Sequence, residues 1–274
     1  MKHYTIPFFI PHRGCPHKCI FCDQGRITGE RGDKIPTAEE VRARIETYLA
    51  TMPREGVYIQ AGFFGGSFTG VPETLQETLL DPAKEFLLKG RIQGMRVSTR
   101  PDLIDENKIS FLRDHGVTCI ELGVQSMSAD VLDASGRGHT PEDVIEASRL
   151  IRSGGFELAH QMMLGLPLSS YEKEFFTAEK AVELGAGQVR IYPVIVMKGT
   201  ELADMWERGE YVPLEMEQAV ERAAKLLSFF RRSGVKVIRC GLHSSEGLIS
   251  GEEYLAGPFH PAFGHLAKQR SEKV

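Results

Sequence analysis

Seven times along the chain, a short run of apolar, β-branched or aromatic residues ends in glycine or polar residues. Each run then gives way to a longer stretch with helical spacing of its apolar positions. The short runs are YTIPFFI, VYIQAGFF, MRVSTR, TCIELGV, ELAHQMM, QVRIYPV and VKVIRC. No two of them are joined by a hairpin turn, so consecutive strands must be linked by helical crossovers and lie parallel. This rhythm predicts an α/β chain, a full or partial parallel β/α barrel of about six or seven βα units. Helix starts support it: Thr37 is followed three positions later by Glu40 in a capping box, and Thr140 precedes PEDVIEASRLIRSGG, which closes on Gly154 and Gly155. LEMEQAVERAAKLLSFFRRSG is a longer amphipathic helix. The rhythm stops near residue 240. Residues 1–240 are therefore expected to form the barrel domain, and 241–274 an extension packing on it.

Composition narrows the class. A chain of 274 residues with 42% hydrophobic and 26% charged residues can bury one sizeable core. Its 33 basic and 37 acidic side chains give a net charge of -4, which argues against a dominant basic surface. No apolar run approaches the roughly 20 residues of a membrane span, and the start lacks the apolar core of a signal peptide. A cytoplasmic location without membrane contact is expected. Five cysteines, odd in number and clustered, suit reduced thiols in a metal or catalytic role better than a disulfide framework.

Three of those thiols, Cys15, Cys19 and Cys22 in CPHKCIFC, follow directly on the first strand. Their loop therefore sits at a carboxyl end of the sheet, where β/α barrels carry their chemistry. A structural zinc takes four ligands; Cys119 and Cys240 are remote in sequence, leaving His12 and His17 as candidates for the fourth. A 4Fe-4S cluster held by three thiolates instead keeps one iron open to a substrate or cofactor. Iron–sulfur is the favoured reading and zinc the minor one.

CPHKCIFC, with Phe21 before its last cysteine, resembles the CxxxCxxC motif of the radical S-adenosylmethionine (SAM) enzymes. FFGGSF resembles that family's double-glycine motif, and STRPD, ELGVQS, GRGHT and LGLP follow in the order seen in the branch containing oxygen-independent coproporphyrinogen oxidase and the Elongator catalytic subunit. The resemblance implies a 4Fe-4S cluster on Cys15, Cys19 and Cys22, with S-adenosyl-L-methionine as second cofactor. It puts Gly65, Gly66 and Ser67 at the methionine end, Gln125 and Arg137 at the nucleoside and carboxylate, and Phe21, Ser98 and Gln161 at further cofactor-facing positions. Ser98 and Gln161 stand where porphyrin-type relatives have acids, and Phe9 replaces a tyrosine. Taken from the residues alone, Gly65 and Gly66 could form a tight turn, Gln125 an interior hydrogen bond and Arg137 a solvated charge.

Over residues 5 to about 213 the motif string, including RIYPVIVMKGTEL, is most similar to the radical domain of the Elongator catalytic subunit. That family modifies wobble uridine in transfer RNA and carries a second, acetyltransferase domain. Here no room for that domain is expected after residue 240, no basic amino-terminal extension is seen, and the first two cysteines are more closely spaced. The resemblance implies an enzyme that reductively cleaves SAM to methionine and a 5'-deoxyadenosyl radical. It would take electrons from ferredoxin or flavodoxin and act on RNA. A small metabolite or porphyrin is the alternative substrate, and a noncatalytic metal-binding module the alternative class. At predicted strand ends Tyr192, Lys198 and Cys240, with His160 just inside strand five, could meet substrate, although a structural role is preferred for each. Arg222, Lys225, Arg231, Arg232 and Lys236 could form an RNA face, but their helical spacing favours a solvated surface. The tail motif AGPFHPAFGHL has no assigned role.

Overall fold

Every one of the seven β-rich runs is a strand, and the first six are followed by helices before the next strand of the sheet. The computed structural model describes residues 2–10, 13–28, 35–53, 55–243 and 245–273. In chain order the helices are α1 (Gln24–Thr28), α2 (Ala38–Thr51), α3 (Glu73–Leu88), α4 (Glu106–Asp114), α5 (Ala129–Ala134), α6 (Pro141–Ser153), α7 (Tyr171–Glu183), α8 (Glu201–Glu207), α9 (Met216–Arg232), α10 (Glu246–Ile249) and α11 (Phe263–Ser271). The strands are β1 (Lys2–Ile10), β2 (Val57–Gly65), β3 (Gly94–Thr99), β4 (Cys119–Gln125), β5 (Glu157–Leu164), β6 (Gln188–Pro193), β7 (Val196–Met197), β8 (Lys236–Cys240) and β9 (Tyr254–Ala256). Seven of these pair in the order β1-β2-β3-β4-β5-β6-β8, all parallel. Among the described residues no ladder joins β8 back to β1, so the sheet curls into a partial barrel.

Alternation along the strands divides the side chains. Ile6, Phe8 and Ile10 of β1 are buried in one core with Val41 and Ile45 of α2 and Leu79 and Leu80 of α3. Each such side chain taken from water contributes about 1.5–3 kcal/mol. The expected capping box forms, Thr37 Oγ1 accepting from Glu40 N at 3.2 Å while Thr37 N donates to Glu40 Oε2 at 2.9 Å, and the structure adds a second, between Thr140 and Asp143.

The opposite face lines the lumen and is polar. Arg96 of β3 donates through Nη1 to Glu121 Oε2 of β4 at 3.0 Å and through Nη2 to Gln188 of β6. Arg190 of β6 donates through Nε to the same Oε2 at 2.8 Å and lies 5.2 Å from the Phe64 ring centre of β2. Arg96–Glu121 joins neighbouring strands, but Arg96–Gln188 and Arg190–Glu121 link β6 to β3 and β4, which are not its neighbours in the sheet, so these pairs cross the lumen and brace its curvature. Burial alone would raise the Glu121 carboxyl, but the Arg190 and Arg96 guanidiniums outweigh it and hold the group below the usual carboxylate range.

After β8 the chain leaves the βα pattern. β9 pairs antiparallel with β7, and α11 lies on α9, where Ser228 Oγ and Arg231 Nη2 both donate to the Ser271 carbonyl at 3.0 and 3.1 Å. Glu253, with its side chain 5% exposed, binds Arg26 of α1.

The loops after β1 and β2 meet backbone to backbone. Gly66 N donates to Ile10 O at 2.8 Å and Ser67 N to Arg13 O at 2.9 Å. A Cβ on Gly66 would fall 2.0 Å from Arg13 O, and one on Gly14, at φ +72°, 2.2 Å from Ser67 O. These glycines are required by close approach of chain to chain.

Two stability outcomes follow from these contacts. Glu121→Ala strands two buried guanidiniums and should lower the urea unfolding free energy by about 3–5 kcal/mol; a change no larger than that of a surface substitution would contradict the bracing role. Gly66→Ala should cost about 1–3 kcal/mol or more by the same assay. Gly187→Ala, whose added Cβ comes no nearer than 4.0 Å to Leu158 O, is the control and should be nearly silent.

Candidate active site

The cysteine loop is held from three sides. Besides its contact with the loop after β2, Ile20 N donates to Ser135 O at 3.2 Å, and Ile20 O accepts from Leu202 N, at the start of α8, at 2.9 Å. Cys22 N closes a turn on Cys19 O at 3.1 Å, and Gln24 Nε2 donates to Gly65 O at 2.5 Å. A loop with so few apolar residues gets its shape from these bonds and from its glycines.

One cavity of about 120 Å³ opens at the carboxyl ends of the strands. The three cysteines line it together with Phe21, Gly65, Gly66 and Ser67. Ser98, Gln125, Arg137 and Gln161 complete the set, so the structure brings together every site residue expected from the sequence. Cys15 Sγ is 3.3 Å from Ser67 Oγ. Arg137, only 6% exposed, donates through Nη1 to Cys19 Sγ at 3.1 Å and through Nη2 to Gly123 O at 2.6 Å. It is therefore no solvated loop charge. Gln125 accepts a long 3.4 Å bond from Gln161 Nε2. Its backbone is left-handed, φ +64°, at a register break in β4, and the buried His139 ring meets the adjacent Val124 carbonyl at 3.2 Å. A non-glycine residue held in this region is strained and re-aims its side chain.

Burial pushes the Cys22 thiol up to about 12; the nearby Cys19 and Cys15 add to this, while the Arg137 guanidinium opposes it. Three thiols this close resist ionising together unless a cationic group is shared among them, which fits a metal cluster. Among the described residues no three His, Cys, Asp or Glu are gathered tightly enough for a single metal ion. A cubane instead takes each thiolate on a different iron. Around the cavity Ser98 Oγ, Arg100 Nη1 and Arg137 Nε are buried without partners among the described residues, polar atoms suited to a ligand rich in charged and hydrogen-bonding groups. The residues present thus fit the cluster and its companion cofactor.

Six further residues line the cavity that sequence reasoning did not single out as site residues: Lys18, Gln24, Thr99, Arg100, Glu121 and Gly123. Thr99, Arg100 and Glu121 lie inside STRPD and ELGVQS, so the motifs pointed to their neighbourhood; nothing in sequence marked Gln24. His17 also lines the cavity, its ring so near Gly138 that a Cβ there would meet it at 2.4 Å. His12 lies outside the described residues.

The other candidates are not gathered here. His160 is buried, bonds Ser148 Oγ at 3.0 Å, and is pushed down to about 4 by burial, a neutral structural group. Cys240 packs against the main core with its thiol raised to about 12 by burial, Lys198 is exposed, and Tyr192 accepts from Arg190 Nη1 at 3.3 Å. Arg222 pairs with Glu174 at 3.0 Å and Lys225 with Glu221 at 2.9 Å, whereas Arg232 and Lys236 are exposed. Among the described residues no helix is long and apolar enough to cross a membrane.

Comparison with known proteins agrees with this geometry. The chain matches the family model of the radical SAM superfamily over residues 9–176, and that of the Radical_SAM C-terminal domain over 186–273. It is 31% identical over 247 residues to the tRNA uridine(34) acetyltransferase of Methanocaldococcus infernus, covering 76% of this chain and 46% of that protein. It is 26% identical over 260 residues to Elongator complex protein 3 of Schizosaccharomyces pombe, covering 80% and 48%. The chain thus spans about half the length of the curated relatives it matches. Its fold superposes on the archaeal Methanocaldococcus infernus Elp3, solved with its N-terminus deleted, with a TM-score of 0.78 at 24% identity, covering 99% of this chain and 63% of that one. With its family model spanning more than half of its length and its motifs converging on one cavity, the chain belongs to the radical SAM superfamily and is a radical SAM enzyme.

Proposed function

We propose that this enzyme reductively cleaves S-adenosylmethionine at a 4Fe-4S cluster held by Cys15, Cys19 and Cys22, and that its substrate is RNA of the transfer-RNA type. Convergence of the three thiols and eight further expected residues on one cavity at the strand ends carries the first part. The names of the similar proteins, a tRNA uridine(34) acetyltransferase and Elongator complex protein 3, support the second.

When bound, the cluster and SAM supply a 5'-deoxyadenosyl radical, with one electron drawn from a donor such as ferredoxin or flavodoxin. The protein's part is to bind, orient and exclude water. Arg137 is the clamp for the cofactor carboxylate: its Nε lacks a partner, and its charge stands beside Cys19. The backbone at Gly66 and Ser67 faces the methionine end, and Gln125, turned by its left-handed backbone, faces the nucleoside. Ser98 and Gln161 offer a hydroxyl and an amide where an ionised acid would add negative charge, and Phe21 closes the loop side of the cavity. Tethering α1 to Glu253 brings the carboxyl-terminal segment to the edge of the site.

Anaerobic reconstitution with iron and sulfide should give protein with visible charge-transfer absorbance that forms 5'-deoxyadenosine from SAM with dithionite. Cys19→Ser should lose the absorbance and lower that product more than a hundredfold. A single tightly bound zinc and no cleavage would sink the proposal. In cells lacking the gene, the nucleoside profile of transfer RNA should change at one modified nucleoside; an unchanged profile would point to a small-molecule substrate.

A further inference from the structure

The lumen below the cofactor cavity carries more guanidinium than carboxylate. Arg96 is 1% exposed and Glu121 2%, and one carboxylate oxygen, Glu121 Oε2, serves both Arg96 and Arg190. Arg239 of β8 stands in register with Arg190 of β6, and parallel partners present their side chains on the same face. Three guanidiniums thus share the inner face with one carboxylate. Glu157, the acid nearest in the network, is exposed at the far end of β5 and reaches the cluster only through Gln188. A partly desolvated site with surplus positive charge is costly unless an anion completes it.

Donor geometry locates the missing charge. Arg190 uses Nε on Glu121 and Nη1 on Tyr192 Oη, and among the described residues its Nη2 has no partner. Arg239 donates through Nε to Gly241 O and through Nη2 to Leu242 O, both at 3.1 Å, and its Nη1 is likewise without one. Both residues lie on the inner face and are only partly buried, the Arg190 side chain being 15% exposed. Gln161, beside Arg190 in the ladder, and Glu121, bonded to it, line the cofactor cavity. Arg190 thus stands directly behind two residues of that cavity. Across the lumen Phe64 lies under Arg190, with Phe9 at 6.3 Å from it, an apolar wall for the body of a ligand whose tip is charged.

We propose that Arg190 and Arg239 bind the terminal anion, a carboxylate or phosphate monoester, of a small molecule that enters through the cofactor cavity. A phosphodiester within a polynucleotide would have to bring chain on both sides into the barrel, which disfavours RNA as the occupant. The inference rests on the radical-enzyme proposal only for the neighbouring cofactor; it makes the small molecule a further ligand beside the RNA substrate, and its binding is independent of that reaction.

Calorimetric titration of the full chain with succinate and, separately, with inorganic phosphate tests this, chloride holding the ionic strength constant. Saturable one-to-one binding of succinate assigns a carboxylate, and of phosphate a phosphoryl group. Arg239→Met and Arg190→Lys should each weaken it at least tenfold. Arg190→Lys keeps the charge beside Glu121 and loses the fork, so its melting temperature should stay near that of the unaltered protein. Binding of neither anion, binding that survives both substitutions, or displacement of the anion by a short oligoribonucleotide would overturn the proposal. Intact anion binding without 5'-deoxyadenosine formation would count against the radical reaction and leave this site standing.

Discussion

Contact between the two loops that follow β1 and β2 is the constraint on which the site depends. Ile10 and Arg13 offer carbonyls that Gly66 and Ser67 take as partners, at a separation that only glycine permits. That approach fixes where the cysteine loop leaves the sheet, and hence which strand ends its thiols face. The family resemblance gives the double glycine a cofactor-facing role. The packing gives Gly66 a second, equally strict one: without it the loop could not lie against β2. Binding and folding act on the same backbone, so a change there reports on both.

Much of this was legible in the sequence because the fold rests on local rules. Apolar runs, the capping box at Thr37 and the helix start after Thr140 mark the elements, and crossovers without hairpin turns imply the parallel order. The cysteine spacing marked the loop, and its place after the first strand gave its position. What could not be read is the set of long-range polar pairings. Arg96, Glu121, Gln188 and Arg190 come from three strands and meet only because the sheet curls. Nothing in the spacing of those residues announces a shared carboxylate oxygen. Gln24 reaches Gly65 across 41 positions, a contact with no periodic signature. His160 shows the converse: a histidine near the strand ends reads as a candidate, yet one residue of alternation turns it to the helix side and Ser148.

The barrel interior divides into two electrostatic regions. Toward the mouth, three thiols and Arg137 face buried atoms that lack partners; deeper in, Glu121 joins the mouth to a zone governed by arginine. Glu121 belongs to both. It braces non-adjacent strands and lines the cofactor cavity, so the group that holds the curvature also sets the field felt by anything bound above it.

The tie between Arg26 and Glu253 spans 227 positions. In synthesis Glu253 follows the cysteine loop by more than 200 residues, so the bond that anchors α1 beside the thiols forms only after the strands between them have been made. The wall behind the thiols is thus the last part of the site to be joined.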